Sequence, residues 1–197
     1  MPLILEGIVT TENEDGTVNV SPMGPIVDEA MTGLLLRPFQ TSTTYQNLKR
    51  IGRGVFHVTD DVNLLARAAV GKLSPPPAMQ PHKTTACWIL KDACRWYAVE
   101  VTELDDRDER TSIRCRVFDS GSQRDFFGFN RAKHAVLEAA ILATRVDFLP
   151  HEEINADMQR LAVIVDKTAG PQESNAFDFL QHYIESAINK ANNTPAS

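Results

Sequence analysis

The sequence predicts an α+β protein: a β-barrel over residues 1–125, then a helical subdomain of about three helices over residues 126–197. Three observations predict it. Up to Phe118, short β-rich runs recur with turn signals between them, the pattern of a barrel. Near Asn130 the apolar period changes from two to 3.6 and stays there to Ala191. Between Ser74 and Pro77, three consecutive prolines exclude both helix and central strand.

The elements follow in order. Ile4 to Thr11 reads as a strand, and Asp15-Gly16 as a hairpin turn. Thr17 to Val20 is a second strand, ending in the loop Ser21-Pro22-Met23-Gly24-Pro25. Gly33 to Leu36 is a third, ending in Arg37-Pro38-Phe39. Tyr45 to Arg50 is a short helix stopped by Gly52 and Gly54. Val55 to Thr59 alternates as a strand. Asp60 or Asp61 caps a helix over Val62 to Val70, which Gly71 ends.

The segment from Ser74 to His82 is an extended surface loop, a lid or a dimer-contact arm. Ala86 to Leu90, Trp96 to Leu104 and Ser112 to Phe118 are strands. The last two face each other across the charged loop Asp105 to Arg110, in a sheet with one wet face. Asn130 caps a helix to about Phe148, with Val136, Leu137, Ala140, Ile141 and Thr144 on one face. Pro150 opens the next, with Ile154, Met158, Leu161 and Val165 spaced for burial. A third begins near Ser174 and carries Phe177, Leu180, Ile184 and Ile188, and Asn192 to Ser197 are expected to fray.

Composition narrows the function. Apolar residues make up 43% and charged residues 23%, ordinary values for a globular chain long enough to bury a core. The net charge of −6, and the excess of acids over bases after Asn130, oppose nucleic-acid or anionic-membrane binding. Cys87, Cys94 and Cys115 are odd in number and form no C-x-x-C, so they read as reduced thiols. The N-terminus lacks a basic region, and no apolar run reaches membrane-spanning length. A cytoplasmic location is expected.

One stretch stands out chemically. Thr41-Ser42-Thr43-Thr44 gathers four hydroxyls at a helix start, where unpaired N–H groups and the positive end of the macrodipole lie. Arg37 upstream can grip a phosphate with two parallel hydrogen bonds. The run is therefore a phosphate site, or Thr41 or Thr43 simply caps the helix.

The pieces GIVTT, DG, VNVSPMG, RPF and TSTTYQN, in that order, resemble the start of the FMN-binding split β-barrel proteins of the flavin-reductase-like group. Within that group the chain is most similar to the DUF447 family. FGFNRAKHAVLEAAILATRV resembles that family's second block, so the likeness covers most of the chain. The resemblance implies FMN. Ser21, Pro22, Met23 and Gly24 would line the ring, and Arg37, Thr41, Ser42, Thr43 and Thr44 would hold the phosphate. Phe39 and Gln40 would lie between.

It also implies a homodimer with FMN at the two-fold interface. The activity implied is an oxidoreductase passing electrons between a donor and a small, pterin-like substrate. A flavin-binding electron carrier or sensor, and a split-barrel scaffold without FMN, are the alternatives. The block Arg124 to His134 would touch a flat anionic ligand or a partner's flavin. Otherwise it is a corner with its phenylalanines packed and its charges in water.

Other chemistries lack their residues. His57, His82, His134, His151 and His182 are scattered without metal-ligand spacing, so no metal is expected. No G-x-S-x-G or phosphate-binding Walker loop occurs. No general base stands out and catalytic residues stay unassigned, as a flavin enzyme allows, since its cofactor carries the electrons.

Overall fold

The structure is a computed structural model and describes residues 2–193. The chain divides into two compact units. One comprises the chain up to Asp60 together with Pro76–Phe126; the other comprises Asp61–Pro75 and the chain from Phe127 onward.

The first unit is a curled antiparallel sheet. Its strands are β1 (Leu3–Ile4), β2 (Gly7–Glu12), β3 (Val18–Met23), β4 (Ile26–Val27), β5 (Gly33–Leu36), β6 (Arg53–Val58), β7 (Met79–Pro81), β8 (Trp88–Leu90), β9 (Arg95–Asp105) and β10 (Ser112–Ser122). One helix, α1 (Thr43–Ile51), accompanies them. Eight strands run in the order β1-β4-β5-β10-β9-β6-β2-β3, and β7 pairs β8 separately.

The order forces the curl. β3 and β4 lie at opposite ends of the sheet, yet only Gly24 and Pro25 join them. β1 and β2 are likewise far apart in the sheet, and only Leu5 and Glu6 join those. Links that short cannot cross an open eight-stranded sheet, so its ends must approach each other. A hydrogen bond from Leu5 N to Pro25 O, 3.1 Å, ties the two links together. Register shifts in the β9–β10 hairpin, at Arg114/Cys115 and Val117/Asp119, add the local bend that bulges supply.

Inside the curl pack Val9, Val27, Leu34, Leu36, Phe56, Val99, Ile113 and Cys115, and Tyr45 and Leu48 of α1 close the cluster. The outer face of β6 and β9 is also covered. There Cys87 and Ile89 lie on Val55 and Ala98. β6 is consequently buried on both sides from Gly54 to His57, although its sequence alternates. The sequence predicts one wet face for β9 and β10. That prediction holds on β10, whose Arg114 and Arg116 are exposed and pair with Glu103 and Glu100. β4 and β7 went unpredicted, being too short to show a period.

The second unit holds α2 (Val62–Ala69), α3 (Arg131–Ala143), α4 (His151–Thr168) and α5 (Pro171–Asn193). On α3 the buried face is Ala132, Ala135, Val136, Ala139, Ala140 and Ala143. Val136 and Ala140 are buried as expected, but Leu137 and Ile141 are half-buried and Thr144 is exposed. Small side chains let neighbouring helices approach closely, which makes an alanine stripe the packing face. α4 buries Ile154, Met158 and Val165 as expected, but Leu161 is only half-buried. α5 buries Phe177, Leu180 and Ile184.

That last helix starts at Pro171 rather than near Ser174. Glu173 reaches back to accept from Gly170 N at 2.9 Å, a cap the apolar spacing does not reveal. Of the residues expected to fray, Asn192 and Asn193 still belong to α5, and 194–197 lie outside the described residues. Among those residues no helix is long and apolar enough to cross a membrane, and Cys87, Cys94 and Cys115 are free and buried.

Candidate functional site

The hydroxyl run meets the N-terminus of α1. Ser42 is the cap: its Oγ accepts from Tyr45 N at 3.2 Å and donates to Phe39 O at 2.8 Å. The sequence reading had offered Thr41 or Thr43 for that role. Ser42 wins because the helix begins two residues earlier than its apolar pattern shows, at Thr43. Thr44 is buried, and its Oγ1 accepts from Asn19 Nδ2 at 3.0 Å. Thr41 and Thr43 remain exposed beside the first N–H groups of the helix, which no intrahelical acceptor can satisfy. Thr43 also opens onto a groove of about 580 Å³ lined by Asn13, Asp15, Asn47 and Arg50.

Arg37 stands just past β5, exposed, with no carboxylate partner among the described residues. Its backbone is fixed on both sides. Pro38 O accepts from Thr111 N at 3.0 Å and Thr111 Oγ1 at 2.8 Å, and Arg110 Nε donates to Arg37 O at 3.3 Å. Phe39 is 54% exposed, with the Arg110 guanidinium 5.7 Å from its ring centre. Gln40 spends its amide donors on Asp106 O and Asp108 O, at 2.7 and 2.9 Å. The same loop is held again at Asp106, which accepts from Tyr45 Oη at 2.7 Å and Lys49 Nζ at 2.8 Å. Those bonds, Lys49's first, keep its carboxyl below the ordinary range.

Ser21, Pro22 and Met23 lie in β3, not in the loop the sequence implied. They pair with Val9, Ile8 and Gly7 of β2. Proline is tolerated there because β3 is an edge strand. Residues two apart on a strand share a face, so Asn19, Ser21 and Met23 all lie on the side where α1 packs. Met23 is the first of these to touch the barrel core. Gly24 sits tightly: a Cβ there would fall 2.8 Å from Glu6 Oε1 and 2.9 Å from Ile4 Cγ2.

A carboxamide network that sequence reasoning missed joins these pieces. Thr11 Oγ1 accepts from Asn19 Nδ2 at 3.2 Å and Asn47 Nδ2 at 3.0 Å, and Asn47 Nδ2 also reaches Asn13 Oδ1 at 2.8 Å. Its signal was available: Asn47 neighbours Leu48 on the apolar side of α1, where a polar residue needs a partner. The network fixes the helix start relative to the face of β3. Exposed donors at that start, an exposed arginine one short loop upstream and a strand leading away suit an elongated ligand ending in an anion.

The block from Arg124 to His134 is arranged differently from the packed corner. Phe127 and Phe129 are 88% and 93% exposed, while Arg124 is held by Asp60 at 2.5 Å. Asn130 caps α3 through Lys133 N at 3.1 Å.

The model of the N-terminal domain of DUF447, described as a protein of unknown function, matches residues 5–124, and the C-terminal model matches residues 130–182. The chain belongs to the DUF447 family. Solved structures share the fold. An FMN-bound DUF447 protein from Methanosarcina mazei is 22% identical, with a TM-score of 0.79, over 93% of this chain and 96% of that one. A flavin reductase domain protein from Arthrobacter is 15% identical, with a TM-score of 0.54, over 64% of this chain and 81% of that one. A flavoredoxin from Methanosarcina acetivorans is 11% identical, with a TM-score of 0.53, over 60% and 68%. These likenesses identify the DUF447 chain's barrel as the flavin-reductase-like split barrel, followed by its helices.

Proposed function

We propose that this DUF447 protein binds FMN and works as an oxidoreductase on a small, flat substrate of the pterin kind. One observation carries the reading: Arg37, exposed and without a carboxylate partner among the described residues, precedes the exposed start of α1 by one short loop, and Asn19 locks that start to the face of β3. The M. mazei relative's description as FMN-bound supports it. Arg37, Thr41, Thr43 and the first N–H groups of α1 would hold the phosphate. Ser42 and Thr44 would hold the helix in place behind them. Ser21, Pro22, Met23 and Gly24 would border the ring, with Phe39 and Gln40 between. All of these residues lie in the segment up to residue 125, outside the α2 excursion.

Bound FMN would supply electron transfer, and the chain's own residues would orient the ring and restrict access to it. A homodimer in the cytoplasm, each site bordered by two chains, completes the proposal.

The test is the purified protein itself. A flavin spectrum, with FMN as the flavin released on denaturation, is the expected result. Bleaching by a reduced nicotinamide, followed by recovery with an acceptor, marks an enzyme. Flavin without turnover marks a carrier or sensor. A colourless protein that takes up no added FMN rejects the proposal.

A further inference from the structure

The 82–87 loop holds a nucleophile and a base, Thr85 and His82, and β10 brings a carboxylate, Asp119, against them; the flavin site uses none of the three. All three belong to the barrel unit. His82 is 6% exposed. Its Nε2 lies 2.9 Å from Asp119 Oδ2. Its Nδ1 lies 3.0 Å from Thr85 Oγ1 and 3.4 Å from Thr84 N. A carboxylate can only accept, so Nε2 carries the proton and Nδ1 is the acceptor. The hydroxyl of Thr85 therefore donates to the imidazole.

The edges of Trp96 and Phe118 meet the His82 ring, with centroids 5.6 and 5.9 Å away. The far side of the base is thus closed to water, while Thr85 is half-buried. The His82 bond, and then the N–H of Ser120, hold the Asp119 carboxyl below its ordinary range. A hydroxyl on a base, with the base oriented by a carboxylate, is the arrangement that activates a nucleophile. Cys87 is the other nearby nucleophile; burial raises its thiol pKa, against a hydrogen bond with Thr85 that lowers it.

We propose that Thr85 is an acyl-accepting residue, with His82 as its base and Asp119 as the positioning residue. The substrates would be small activated esters or thioesters. Thr85 Oγ bonds to the carbonyl carbon while its proton passes to His82 Nδ1. The bond to the leaving alkoxide or thiolate then breaks, and His82 returns the proton to that group. Water repeats the sequence on the Thr85 ester and releases the acid.

p-Nitrophenyl acetate is the probe, used on the full chain with its flavin content measured in parallel. Expected are nitrophenol release and an acetyl group on the peptide containing Thr85. Thr85→Ala should lower release at least tenfold and abolish the label, and Thr85→Ser should keep both. His82→Gln should lower release about a hundredfold, the weight of a general base. Equal release by the wild type and Thr85→Ala overturns the proposal, as does acetyl found only on Cys87 or on lysines. Thr85→Ala leaves a partly open surface site, so its folding is not at stake. Flavin content unchanged in that variant separates this site from the FMN reading.

Discussion

Asn19 on the edge strand donates to Thr44 in the first turn of α1, 3.0 Å away, and this bond registers the two halves of the proposed flavin site. The same amide also reaches Thr11. Asn19→Ala removes both donors and leaves Thr44 Oγ1 without its partner. A stability loss of about 1–2 kcal/mol follows. Because the strand then slides relative to the helix, FMN and riboflavin should weaken together. Unchanged affinity for both would mean that Asn19 only supports the fold.

Arg37→Ala should separate the two flavins. Riboflavin has the ring and ribityl chain without the phosphate. Loss of a charge-assisted bidentate pair costs roughly 2–3 kcal/mol, about thirty- to a hundred-fold in FMN affinity. Thr43→Val should cost about 1 kcal/mol, one neutral hydroxyl. Riboflavin should hardly move in either variant. Flavin fluorescence titration gives the comparison, and equal losses for both ligands would place the phosphate elsewhere.

The proposed homodimer is tested by mass in solution. Light scattering of the flavin-loaded protein should give twice the 21.9 kDa of one chain. A single-chain mass with FMN bound would mean that one chain completes the site.

In the helical unit, Leu180→Ala should cost roughly 2–5 kcal/mol, since Leu180 is fully buried. Leu161→Ala should cost clearly less, because Leu161 is half-exposed on α4. Denaturant unfolding of the two variants gives the ranking, and the reverse order would mean that α4 packs through a different face.

Much of this was legible in the sequence, for identifiable reasons. Long elements with a clean period, such as β9, β10 and α4, announce themselves. The Asp15-Gly16 turn and the prolines set boundaries that hold. Tertiary pairing was not legible. Nothing local says that Val55 to His57 will be covered on both faces, because the β7–β8 hairpin that covers them comes from residues 79–90. The phosphate run was visible as hydroxyls, but its division of labour was not. Ser42 caps, Thr44 is buried and Thr43 is open because Asn19 and Asn47, distant in sequence, choose which side of α1 faces the barrel.

His57 makes the fold acid-sensitive. Its ring is fully buried, with Nδ1 donating to Ile8 O at 3.2 Å and Nε2 accepting from Leu90 N at 3.1 Å. The Leu90 bond needs the neutral ring, since Nε2 accepts only through its lone pair; the Nδ1–H bond to Ile8 O survives protonation. A proton on Nε2 would point at the Leu90 N–H and break the link that holds β8 to β6. Burial lowers the pKa from 6.5 to about 4, against the raising effect of the Ile8 bond. The unfolded chain therefore binds this proton more readily than the folded one. The His57 contribution is complete above pH 6.5 and is lost as the pH falls from there to about 4. The full loss is roughly 3 kcal/mol, of which about 1 kcal/mol has gone by pH 5.5. Urea unfolding across that window should show stability rising with pH in the wild type. His57→Gln, less stable at neutral pH, should show a shallower rise. The same slope in both proteins would assign the acid sensitivity to other groups.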